Sequence, residues 1–266
     1  MTSDSVLLQI ENGVATVTLN QPDVRNALTP ELRTSFREII ASLEFNSDAR
    51  CIVITGAGDH FMSGGDIRSM VDRLSLDEAE RRKQILEGIH LLHLPIFGIR
   101  RMGKPVIASI RGAAAGFGVG LVAACDLAIA SSKAFFTLAY CHIGASPDGG
   151  SSYFLGRTLG MKQQMELAFL GDRFSSEKAK ELGIINWVVD DEELDAETHR
   201  LAARLASGPT VAYSNAKKLF NQTNHLSMES QLQMEAERMA DSMMTSDHAE
   251  GITAFMEKRS PKFIGK

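Results

Sequence analysis

Phe61-Met62-Ser63-Gly64-Gly65-Asp66-Ile67 and Gly112-Ala113-Ala114-Ala115-Gly116-Phe117-Gly118-Val119-Gly120 are the two stretches that decide the fold. Each follows a β-branched run that reads as a strand, Cys51 to Thr55 and Pro105 to Ile110. Each then opens into a helix-like segment. Small residues let the main chain approach a ligand closely, and the first N–H groups of a helix have no partner inside it. Two such N–H groups aimed at one point form an oxyanion hole. That geometry polarises a carbonyl and stabilises the enolate left when an α-proton departs.

The flanking sequence predicts an α/β chain. Val14 to Leu19 alternates as a strand and ends at Asn20-Gln21-Pro22. Thr29 suits a helix cap and Pro30 the first helical position, followed by Leu32, Phe36, Ile39, Ile40 and Leu43 at helical spacing. Asp66 is placed to cap a short helix. Ser75 to Arg101 reads as a long helix, with Ser75 and Glu78 as a capping box and Pro95 as a kink. Phe117 to Ala124 reads as a buried helix. Leu127 to Ala130, Ala134 to Leu138 and Ile185 to Val189 read as strands. The recurring strand–strand–helix order predicts a spiral of ββα turns over residues 1–195. Residues 196–266 read as wholly helical. The methionine-rich run from Met228 to Met244 is expected to pack on its own domain and to build a subunit interface.

Composition narrows the function. The 266 residues are 44% hydrophobic and 23% charged, as in ordinary soluble domains. A net charge of -5 argues against a nucleic-acid surface. Met1-Thr2-Ser3-Asp4 lacks the basic and apolar regions of a signal peptide, and no apolar run approaches the roughly 18 residues of a membrane span. The three cysteines, Cys51, Cys125 and Cys141, form no metal-spaced cluster, so a cytoplasmic protein with reduced thiols is expected. Cys125 reads as a small core residue in an apolar helix. No histidine–carboxylate spacing marks a metal site. The glycine stretches match neither a P-loop nor a dinucleotide fingerprint. Ser151 and Ser152 lack a triad.

In order and context, these segments resemble the crotonase family, also called the enoyl-CoA hydratase/isomerase family. The likeness runs from about residue 5 to residue 264. Arg25-Asn26-Ala27-Leu28 is similar to the first CoA-binding loop, and Phe61 to Ile67 to the second. Lys104-Pro105-Val106-Ile107-Ala108 leads into the second glycine stretch and Cys125-Asp126. Gly144-Ala145-Ser146-Pro147-Asp148-Gly149-Gly150 is similar to a late active-site turn. Leu170-Gly171-Asp172-Arg173 and Phe255-Met256-Glu257-Lys258-Arg259-Ser260-Pro261 match later family segments. The resemblance implies a crotonase-type spiral with a C-terminal trimerisation region, an acyl-CoA thioester as substrate, and no cofactor beyond its CoA moiety. It also implies a homotrimer or a dimer of trimers.

The same likeness suggests residue roles. The N–H groups of Gly65 and Phe117 match the two oxyanion donors. The family usually has glycine at the second, so Phe117 is a departure that also reads as a core aromatic. Arg25 matches a contact to CoA phosphates, and Lys258 reaches the same ligand from the C-terminal helix, with Phe255 beside the adenine. Both tail residues are expected to act across a subunit boundary. Ala27, Ser63, Asp66 and Ile67 would meet adenine and pantetheine largely through backbone and shape. Plain surface charge is the alternative for Arg25 and Lys258.

Family hydratases use two glutamates, and this chain has Gly120 and Tyr140 at those positions. Adding water across a double bond needs one group to activate the water and another to manage the α-proton. Asp148, eight residues past Tyr140, stands where some family isomerases and a dehalogenase place an essential aspartate. A lone carboxylate in an apolar pocket can take a proton from one carbon and return it to another, its pKa raised by burial. Pro-Asp-Gly is also strong turn chemistry. Tyr140 and His142 are further pocket candidates, with His90 and His93 for the acyl channel. Double-bond isomerisation leads; hydration through Asp148 and an ordered water, or a non-catalytic acyl-CoA scaffold, are the alternatives.

Overall fold

The computed structural model describes residues 4–266. The chain begins with a hairpin, β1 (Val6–Glu11) and β2 (Val14–Leu19), closed by Asn12 and Gly13, both at positive φ. Helix α1 (Pro30–Phe45) starts at Thr29, whose hydroxyl accepts from the Leu32 amide at 3.2 Å. Strand β3 (Cys51–Gly56) leads through the first glycine stretch into α2 (Ile67–Asp72) and α3 (Glu78–Arg101). Next come β4 (Val106–Ile110), β5 (Ala113–Ala115) and α4 (Phe117–Ala124), then β6 (Leu127–Ser131) and β7 (Phe135–Thr137). Helices α5 (Ser151–Thr158) and α6 (Met161–Leu170) precede β8 (Phe174–Ser175), α7 (Ser176–Glu181) and β9 (Trp187–Val189). The remainder is helical: α8 (Leu194–Ala206), α9 (Thr210–Gln222), α10 (Met228–Met243) and α11 (Ser246–Met256).

The strands form two sheets. The larger has the order β1-β2-β3-β4-β6-β9, parallel except for the first hairpin. The smaller has the order β5-β7-β8. A parallel bridge between Met62 and Ala114 extends the smaller sheet to the first glycine stretch. Successive turns of chain therefore add one strand to each sheet, which is the expected spiral. Strands β3 and β4 are buried on both faces, as parallel strands covered on two sides must be. Leu32, Phe36, Ile40 and Leu43 of α1, with Ile96 and Ile99 of α3, fill the main core. On the other face, Leu194, Ala202 and Ala206 of α8 pack on Cys51, Val53, Ile107 and Ile129.

Local details depart from the reading of the sequence. Helix α3 is capped by Asp77, which accepts from the Ala79 and Glu80 amides, so Ser75 is no cap but ends a short 3-10 turn. The helix runs through Pro95, which is buried. Cys125 lies one residue past α4, at its cap, and burial pushes its thiol up to about 12, as it does for Cys51. The last strand of the large sheet is shorter than expected, starting at Trp187. Ala113 to Ala115 forms a strand, inside the glycine stretch whose reading predicts only an opening into a helix. Among the described residues, no helix is long and apolar enough to cross a membrane.

Candidate active site

The two glycine stretches run side by side. The Phe61 amide donates to Arg111 O at 2.7 Å, Met62 N to Ala113 O at 2.9 Å, and Ala115 N to Met62 O at 2.9 Å. Gly64, at φ +96°, and Gly116, at φ +53°, then meet closely: a methyl built on Gly116 would sit 3.7 Å from Gly64 Cα. No larger residue takes these conformations cheaply. Asn26 ties this assembly to the first loop. It is fully buried, its Oδ1 accepts from Gln21 N, and its Nδ2 donates to Ala57 O and His60 O. His60 accepts from Ala113 N at 3.2 Å and fixes the start of the second stretch.

Past this junction the chain presents two free donors. Neither the Gly65 amide nor the Phe117 amide donates a hydrogen bond to another group among the described residues. Phe117 is the first residue of α4, where an N–H has no intrahelical partner. Both residues line one cavity of about 710 Å³. The Phe117 ring is 2% exposed and packs beneath Gly149, where a methyl would come within 2.6 Å of it. The side chain thus serves the core and leaves the unpartnered amide as the polar group of Phe117 at the cavity-lining start of α4.

Tyr140 and Asp148 line the same cavity and are bonded to each other. The Tyr140 hydroxyl donates to Asp148 Oδ1 at 2.6 Å. Asp148 is therefore not the lone carboxylate that its spacing suggests. Burial, and then the Asp148 charge, push the Tyr140 phenol well above its ordinary pKa, so it remains a neutral donor. The Tyr140 ring also lies beside Gly116, with Cζ 3.8 Å from a methyl placed there. The turn that carries Asp148 rests on α4: a methyl on Gly120 would lie 2.7 Å from Gly149 O and 3.4 Å from Asp148 O. No side chain fits at Gly120 while this turn keeps its place.

The other expected residues divide into two groups. Ser63, Asp66 and Ile67 line the cavity. Asp66 caps α2, accepting from the amides of Arg68 and Ser69 and from the Ser69 hydroxyl. Burial opposes its charge, but these donors outweigh burial and hold the carboxyl below the usual range. Ala27 is buried beside the cavity residue Leu28, whose amide donates to Gly64 O. Arg25, at φ +53°, is exposed in the same loop, and its carbonyl accepts from Ser63 N at 3.0 Å. Phe255, 82% exposed, and Lys258 do not line this cavity. His142 lines it, with Nε2 3.1 Å from Gly171 O; His90 and His93 do not.

Sequence reasoning missed the cavity's third wall. Met70 lies in the short helix α2 and Leu74 in the turn after it, and Ile85, Gly88, Ile89 and Leu92 come from one face of α3. The signal was the helical spacing of those α3 residues, blurred by the exposed apolar Leu86 and Leu91 between them.

A family model described as enoyl-CoA hydratase/isomerase matches residues 9–266. The chain is 34% identical over 264 residues to 1,2-epoxyphenylacetyl-CoA isomerase of Escherichia coli (strain K12), covering 98% of both proteins. It is 32% identical over 261 residues to the trans-2-decenoyl-acyl-carrier-protein isomerase of Streptococcus mutans, again covering 98% of each. An enoyl-CoA hydratase crystal structure from Polaromonas sp. JS666 superposes with a TM-score of 0.90 at 35% identity, over 97% of this chain and 99% of that one. With its paired sheets and its two glycine stretches brought together by main-chain bonds, the chain belongs to the enoyl-CoA hydratase/isomerase, or crotonase, family of enzymes.

Proposed function

We propose that this enzyme isomerises the double bond of an unsaturated acyl-CoA through a thioester enolate. The thioester oxygen accepts from the Gly65 and Phe117 amides. Asp148 removes a proton from one carbon and returns it to another, so one carboxylate serves as base and then as acid. Tyr140 orients that carboxylate and stabilises its charged form. Each oxyanion donor is worth about 3–4 kcal/mol at the transition state. The observation that carries the reading is the pair of partnerless amides in one cavity with the Tyr140–Asp148 pair. The crowding at Gly120 supports it, because a second carboxylate there is sterically excluded.

For the rest of the ligand, Arg25 binds CoA phosphates, since a guanidinium suits them, and Ala27, Ser63, Asp66 and Ile67 shape the adenine and pantetheine path. Phe255 and Lys258 complete the CoA site of a neighbouring subunit in a homotrimer or a dimer of trimers. Their exposure, and that of Met228, Met239, Met244 and Met256, suits such an interface. No cofactor beyond CoA takes part.

Hydration by Asp148 and an ordered water is the second reading, favoured by the hydratase name of the similar Polaromonas structure. Turnover of enoyl-CoA thioesters in heavy water enriched in oxygen-18 separates the two. Isomerisation gives a shifted double bond and deuterium in the acyl chain without heavy oxygen. A hydroxyacyl product that carries heavy oxygen would replace isomerisation with hydration.

A further inference from the structure

The cavity carries three guanidinium groups that enolate chemistry does not use. Arg33 comes from α1, Arg73 from the turn after α2, and Arg81 from α3. None of their side chains forms an ion pair or hydrogen bond among the described residues. The Arg73 Nε is buried and without a partner. Arg33 Nη1 lies 3.5 Å from the place of a Gly88 methyl, on the cavity face of α3. Burial, then the charge of Arg73, pull the Arg33 pKa down; Asp66 and Glu31 oppose this from a distance without pairing. Asp66 is already committed to capping α2. Apart from Asp66 and Ser69, which are bonded to each other, the remainder of this wall is apolar: Met70, Leu74, Ile85, Ile89 and Leu92.

Three unpaired cations gathered on an otherwise apolar wall are costly unless an anion joins them. A guanidinium matches a carboxylate in a planar, bidentate geometry. We infer that Arg33, Arg73 and Arg81 bind a carboxylate at the distal end of the acyl chain, so that the substrate is the CoA thioester of a dicarboxylic acid. This rests on the preceding reading for the position of the thioester. The apolar residues of the wall accompany the methylene chain, and the arginines select its charged end.

Calorimetric binding of saturated thioesters tests this without turnover. The wild type is expected to bind adipoyl-CoA at least about 10-fold more tightly than hexanoyl-CoA, as a charge-assisted hydrogen bond allows. The preference should shrink with added salt. Arg33→Met and Arg73→Met should each erase it while leaving hexanoyl-CoA affinity within about 2-fold. Equal binding of the two thioesters by the wild type would overturn the inference. So would an equal loss of both in the variants, which would assign the arginines to CoA phosphates; binding of hexanoyl-pantetheine, unaffected by the substitutions, would identify that case. Deuterium exchange next to the thioester, measured in parallel, reports on the enolate reading. Exchange without carboxylate preference sinks only the present inference, and preference without exchange sinks only the enolate reading.

Discussion

Tyr140 and Asp148 show how a site can be legible residue by residue and yet hidden as a unit. Both stand out in the sequence, but their 2.6 Å bond depends on the left-handed turns at Ala139 and Gly144, which no periodicity announces. The arginine wall was hidden for a different reason: Arg33, Arg73 and Arg81 stand on separate elements, α1, the turn after α2, and α3, and only the fold brings them to one cavity. Replacing Tyr140 by Phe removes a hydrogen bond to a charged group, worth about 1.5–3 kcal/mol. The turnover number should fall by about 10- to 100-fold while the KM for the acyl-CoA changes little. Because burial and the Asp148 charge raise the Tyr140 pKa, the phenol stays protonated across the working range. The wild-type pH–rate profile should therefore show no alkaline loss from this group below about pH 10, the ordinary tyrosine value.

Among the elements, the strands and helices with strong local patterns are legible in residue spacing and cap chemistry. Thr29-Pro30 announces α1 through cap chemistry, and β3 through its unbroken apolar run. The start of α3 is not, because Ser75 and Asp77 both have capping side chains and only Asp77 reaches the free amides. The strand β5 was masked because three alanines acquire an extended form from main-chain bonding to neighbouring segments. Helix α4 carries the sharpest test. Glycine inside a helix is ordinarily about 1 kcal/mol worse than alanine. At Gly120 the sign should reverse, because the added methyl meets the Gly149 carbonyl at 2.7 Å. Gly120→Ala is expected to lower stability by about 1–3 kcal/mol, the usual cost of overpacking. Thermal unfolding measures this, and an unchanged or raised midpoint would show that the Asp148 turn does not rest on α4.

At the scale of the whole molecule, Asp126 joins the helical C-terminal part to the sheets. Its carboxylate accepts from Lys217 Nζ of α9 at 2.7 Å, Arg100 Nη1 of α3 at 3.2 Å and the Val106 amide at 2.9 Å. Lys217 is 8% exposed at its side chain. Asp126→Asn removes the charged partner of Lys217 and Arg100, leaving them only the neutral acceptors Lys104 O, Ala124 O and Asn221 Oδ1. Breaking a fully buried pair costs about 3–5 kcal/mol, and this partly exposed one is expected to cost less. Burial already lowers the Lys217 pKa, and loss of the carboxylate lowers it further, so the folded variant binds fewer protons than the unfolded chain. Stability of the variant should therefore rise with pH, with the deficit largest near neutrality and smaller towards about pH 10. Denaturant unfolding at several pH values tests both sign and size. The central claim concerns the site that this scaffold holds in place, and one comparison reaches it most directly: deuterium uptake next to the thioester carbonyl in wild type and Asp148→Asn. The account predicts that exchange falls by about 100- to 10,000-fold, the range of a lost general base, while the variant binds acyl-CoA as before. Exchange at the wild-type rate would contradict it and leave Asp148 as a turn residue only.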